Sequence, residues 1–106
     1  MEQSQTGQLN KIIEKLTDNR VAIFFEELIV SSDAIGFQSI PDGATSARCV
    51  NEGYQIRFKE FGVPTESSGV IRNDGSAFDI TTAQNLSQFL AIATGSDSKL
   101  NITYYK

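Results

Sequence analysis

The stretch Tyr54-Gln55-Ile56-Arg57-Phe58-Lys59 alternates without a break, with Tyr54, Ile56 and Phe58 on one side and Gln55, Arg57 and Lys59 on the other. Successive side chains of an extended chain point to opposite faces, so this period of two predicts a half-buried β-strand with those three rings and branches turned inward. The flanking punctuation agrees. Pro41-Asp42-Gly43, Gly53, Gly62-Val63-Pro64, Gly69, Asn73-Asp74-Gly75 and Gly95 divide the chain into short β-type runs. Ala47-Arg48-Cys49-Val50 is one such run. Val70-Ile71-Arg72 enters Asn73-Asp74-Gly75 and Ala77-Phe78-Asp79-Ile80 leaves it, which predicts a β-hairpin. Phe89 to Thr94 is apolar and reads as strand or helix, because a short apolar run has no diagnostic period. Asn101-Ile102-Thr103-Tyr104-Tyr105 reads as a terminal strand behind the turn Gly95-Ser96-Asp97-Ser98. Short strands at regular spacing predict a mainly β protein, a small antiparallel β-sandwich or jelly-roll-like domain over residues 20–106.

Upstream, Val21, Ile23, Phe24, Phe25, Leu28, Ile29 and Val30 crowd into one run. Its β-branched and aromatic content favours strand; continuation of a preceding helix through Glu26-Glu27 is the competing reading. Residues 1–19 read as an N-terminal arm and amphipathic α-helix, with Leu9, Ile12, Ile13 and Leu16 forming one apolar stripe and Asn10, Lys11, Glu14 and Lys15 on the wet side. A helix this short is marginal alone, so the stripe is expected to dock on the domain's own core or on a neighbour. Met1 to Gly7 is polar and lacks the positive start and apolar core of a secretory signal. No run is long and uncharged enough to span a bilayer. A soluble chain with no membrane partner is therefore expected.

The chemistry-bearing residues are few. Of 106 residues, 40 % are hydrophobic and 21 % charged, which suits one globular domain. The net charge of −4, with 9 basic side chains and no basic cluster, argues against a nucleic-acid partner. There is no histidine, which removes Ser-His and Cys-His catalysis and His-ligated metals. The single cysteine, Cys49, closes no disulfide within the chain, suits a reducing compartment and reads as a small buried hydrophobe. Glu26 and Glu27 are adjacent, so in a strand they face opposite sides and share no proton; one exposed and one rim carboxylate are expected. Asn73-Asp74-Gly75-Ser76 lacks the later carboxylate of a calcium loop, since position 81 is Thr. Ser67-Ser68-Gly69 and Thr94-Gly95-Ser96 match neither a P-loop nor a nucleophile elbow. No catalytic, cofactor-binding or metal-ligating set follows, and the chain is expected not to be an enzyme.

From about Ala44 to Lys106 the pattern resembles small β-rich structural proteins of tailed bacteriophages. The residues that carry the likeness are the alternating strand Tyr54–Phe58, Pro64-Thr65, Gly69-Val70-Ile71, the turn at Gly75, Asn85-Leu86 before the apolar Phe89–Gly95 run, and a closing Leu100-x-Ile102-x-Tyr104-Tyr105. The resemblance implies a capsid cement or decoration protein located on the virion, partnered by the major capsid protein or another virion protein. It further implies a homo-oligomer, with a trimer favoured. The residues themselves add a physical route. Asn101–Tyr105 has no internal charge or proline, and an unpaired strand edge is a template for another chain. Leu9, Ile12, Ile13 and Leu16, together with Ile102, Tyr104 and Tyr105, are therefore the expected subunit or partner contacts. Two alternatives stay open. One is a head–tail or tail accessory protein. The other is a carbohydrate- or receptor-binding sandwich, which requires Tyr54, Phe58, Phe61, Tyr104 and Tyr105 to converge on an exposed groove.

Overall fold

A computed structural model describes residues 20–106. The expected N-terminal arm and helix, with Leu9, Ile12, Ile13 and Leu16, lie outside the described residues. The chain is mainly β: β1 (Ala22–Val30), β2 (Ser46–Gly53), β3 (Ile56–Lys59), β4 (Val70–Arg72), β5 (Ala77–Thr81), a short helix α1 (Ala83–Gln88), β6 (Leu90–Ala93) and β7 (Ser98–Tyr105). All strand pairs are antiparallel, in a four-stranded sheet of order β1-β7-β2-β5 and a three-stranded sheet of order β4-β3-β6.

Residues 22–30 are strand, as their β-branched and aromatic content favoured, and Phe89–Thr94 resolves to strand β6. Three sequence expectations give way. The Asn73-Asp74-Gly75 turn joins no hairpin: Val70 pairs with Phe58 in the smaller sheet, whereas Ala77 pairs with Val50 in the larger, so the turn carries the chain from one sheet to the other. Tyr54 does not share a face with Ile56 and Phe58. It precedes β3, is half-exposed, and its ring lies against Gly95 so closely that a Cβ there would collide with it. Finally, β7 is not an edge. It sits between β1 and β2, paired along its length on both sides, so neither edge of the closing strand is open to another chain.

One core serves both sheets. Leu28, Val30, Ala47, Cys49, Phe78, Ile80, Leu100, Ile102 and Tyr104 come from the larger sheet, and Ile56, Phe58, Ala91 and Ala93 from the smaller. A column of rings joins them: Phe78 stacks on Phe58 at 4.4 Å, Phe58 lies 5.5 Å from Phe89, Phe89 stacks on Phe37 at 4.3 Å, and Phe37 meets Tyr104 edge-on at 5.7 Å. Each buried ring contributes roughly 1.5–3 kcal/mol of hydrophobic stabilisation, with a further ~1 kcal/mol for good ring–ring geometry.

The helix α1 was not foreseen. Among its six residues only Leu86 is buried, so no apolar stripe marks it. It is held instead by its start: Thr82, at φ 74°, accepts the Asn85 N–H on its hydroxyl and donates its own N–H to the Thr45 carbonyl.

Candidate functional site

Buried polar groups are where chemistry would be housed. Glu26 lies on the inner side of β1 with Leu28 and Val30, which corrects the expectation of a rim carboxylate. Its carboxylate accepts from the Tyr104 hydroxyl, from the Gln38 N–H at 3.1 Å and from the Ser39 N–H at 3.3 Å. A buried carboxylate is costly unless it is hydrogen-bonded, and here all three donors are structural. The group ties residues 38–39 down onto the larger sheet. Burial, with the hydrogen bond to Glu26 next in weight, pushes the Tyr104 hydroxyl far above the ordinary tyrosine range. Burial likewise pushes the Cys49 thiol far up, aided by the charges of Asp79 and Glu26, so its nucleophilic thiolate is suppressed. Asn51 is a second node. It accepts from the Ser98 hydroxyl at 2.6 Å and donates to the carbonyls of Tyr54 and Arg72, joining β7 to both ends of the smaller sheet's hairpin. Among the described residues no three of His, Cys, Asp and Glu come together in a way that would hold a metal ion, and no helix is long and apolar enough to cross a membrane.

The surfaces differ more than the interior does. The outer face of the larger sheet is polar: Lys99 reaches Glu27 at 3.8 Å and Glu52 at 3.7 Å, Arg48 reaches Asp79 at 3.6 Å, and Asn101 bonds Glu52. Exposed pairs of this kind contribute little stability but keep the face wet. Two apolar side chains interrupt it at one rim. Phe25 stands in register with Thr103, Arg48 and Asp79, and Ile29 with Lys99 and Glu52. Both belong to β1 and are 51 % and 57 % exposed, and Val21 just before the strand is 62 % exposed.

The outer strands are not protected equally. β4 has three residues and β5 has five, with α1 folded back beside it. β6 is covered by the chain leaving β1: Ile35 and Ala91 exchange two main-chain hydrogen bonds at 3.0 and 2.9 Å, and Ala93 donates to the Ser31 carbonyl at 2.7 Å. Gly36 permits this approach, since a Cβ there would sit 2.9 Å from the Phe89 carbonyl. β1 is nine residues long, pairs only with β7 among the described residues, and contains no proline, lysine or arginine. Alternate N–H and C=O groups of β1 therefore point away from the sheet, next to Phe25 and Ile29.

The expected contact residues fall elsewhere. Ile102 and Tyr104 are fully buried in the core, because β7 is interior and they occupy its inward positions; they present no surface to a partner. Tyr105 is half-buried on the outer face, with the Arg20 guanidinium 4.4 Å from its ring centre. The five-ring platform does not assemble, since Phe58 and Tyr104 are buried while Tyr54 and Phe61 are exposed. Phe25 and Ile29 were missed, although the run Phe25-Glu26-Glu27-Leu28-Ile29-Val30 read with a period of two separates them from Glu26, Leu28 and Val30. No protein-family model, curated protein or solved structure matches the chain.

Proposed function

We propose that this chain is a non-enzymatic virion structural protein, a capsid cement or decoration protein that stabilises contacts between neighbouring major capsid protein subunits. We also propose that its two sheets constitute a small β-sandwich of the jelly-roll kind. The reading rests on one observation, the side of β1 that has no strand partner among the described residues, where outward main-chain groups run beside Phe25 and Ile29. An apolar strand edge is a liability for a solitary domain and an asset for one that works in contact with other chains. The sequence likeness to phage structural proteins supplies the biological setting, and the scarcity of reactive side chains is compatible with a role in contact rather than turnover.

In this reading copies of the chain associate with one another through β1 and seat together on the shell. Antiparallel pairing of β1 with the same strand of a second copy is two-fold and closes as a dimer, whereas pairing with a different strand of the neighbour gives a ring such as a trimer when the rotation closes. The test is incorporation. Purified capsids are expected to carry the protein at high, fixed copy number, to retain it in high salt, and to melt at a higher temperature with it than without it. Shells that lack it at high copy would remove the proposal.

A further inference from the structure

We propose that Asp42–Gly43 is a site of spontaneous aspartate isomerisation in the folded protein, and that Asp74–Gly75 is protected from it. The two dipeptides form a matched pair. Each lies in an exposed turn, each places Asp before a glycine at φ +82°, and each turn is closed by one main-chain bond, Ala44 N–H to the Pro41 carbonyl at 3.2 Å and Ser76 N–H to the Asn73 carbonyl at 3.1 Å. In the reaction the glycine amide nitrogen attacks the aspartate Cγ. The new N–Cγ bond forms, water leaves, and a succinimide results. Water then adds to either ring carbonyl, giving back aspartate or leaving the main chain running through the β-carboxyl. No oxidant or cofactor is needed, but the amide nitrogen and the carboxyl must be free to meet. At the second site neither is free. The Gly75 N–H donates to the Asn51 carbonyl at 2.7 Å, and the Asp74 Oδ1 accepts from the Gly53 N–H at 2.9 Å. Asn51 is itself fully buried, so its carbonyl is a fixed anchor. At the first site, among the described residues, neither the Asp42 carboxylate nor the Gly43 N–H makes a hydrogen bond, and the atoms nearest a Cβ at Gly43 would belong to the flexible side chain of Lys106.

The experiment holds the full chain at 37 °C and mildly acidic pH for several weeks, folded and in strong guanidinium. Each site is then measured by digestion at low pH, separation of the equal-mass peptides, and fragmentation that distinguishes the β-linked form. In the folded protein isomerisation at residue 42 is expected to outrun that at residue 74 by about tenfold or more, since two hydrogen bonds must open before the second site can react. In guanidinium the two rates are expected to converge within about twofold, because the difference then has no structure to rest on. Equal rates in the folded protein, a faster reaction at residue 74, or protection of both sites relative to the unfolded chain would overturn the assignment.

Discussion

β6 and β1 are both outer strands, and the chain treats them in opposite ways. The segment Ser31–Gly36 lies along β6 and satisfies its outward main-chain groups, whereas β1 carries no such cover among the described residues. The covering segment begins where β1 ends, so the chain folds back across to the other sheet and, among the described residues, gives no cover to the strand it came from. What holds it there is a ring and a carboxylate: Phe37 stacks on Phe89, and Glu26, itself on β1, anchors Gln38 and Ser39. Among the described residues, edge protection is selective. Six residues guard the four-residue β6, while the nine-residue β1 has no such guard among the described residues, which fits a surface reserved for contact.

The seat of the covering segment is the point at which substitution has the largest effect. Phe89→Ala removes the ring on which Phe37 rests and which links both sheets, and is expected to cost about 3–5 kcal/mol in denaturant unfolding. Ile35→Pro deletes the N–H that reaches Ala91 and leaves that carbonyl unpaired. About 1–3 kcal/mol is expected, with new aggregation through the uncovered β6 edge visible by light scattering. Tyr104→Phe leaves Glu26 buried with one donor fewer. A loss of about 1–3 kcal/mol is expected, together with faster hydrogen exchange at the Gln38 and Ser39 amides while the core amides of β7 stay protected.

Alkali acts on the same anchor. Tyr104 and Cys49 have raised proton affinity when folded, so above the ordinary ionisation of each group the unfolded chain binds fewer protons than the folded one. Their contribution is whole below about pH 8.5 and declines as pH rises beyond it, at up to roughly 1.4 kcal/mol per pH unit for each group titrating in the unfolded chain. Unfolding titrations between neutral and alkaline pH measure this, and the Tyr104→Phe protein should show a shallower decline above pH 10. The smallest effect on stability belongs to the open strand. Phe25→Lys and Ile29→Lys are each expected to change stability by no more than about 0.5 kcal/mol at dilutions where the chain is monomeric, because both side chains face solvent in the single chain.

The strands were legible because local pattern decides them: alternation at Tyr54–Lys59 and turn residues between runs need no distant partner. Sheet order was not legible, since β7 enters between β1 and β2 by pairings that span most of the chain. The same gap explains the misread turn at residues 73–75, where Asn-Asp-Gly supplies a reversal but the partners of the flanking strands are Phe58 and Val50. Glu26 looked like a surface residue because the hydroxyl that makes its burial tolerable lies on Tyr104, 78 positions away. Of the candidate contacts, Ile102 and Tyr104 are apolar positions of a strand that is paired on both sides, and the hydrophobicity that suggests a contact places them in the core.

The direct test is the mass of the chain in solution by light scattering over a wide concentration range, for the unaltered protein and for the doubly substituted Phe25→Lys/Ile29→Lys protein. A multiple of 11.6 kDa is expected for the former and 11.6 kDa for the latter, with the latter still folded by circular dichroism. An unaltered protein that stays at 11.6 kDa throughout, or an oligomer that survives both lysines, would contradict it.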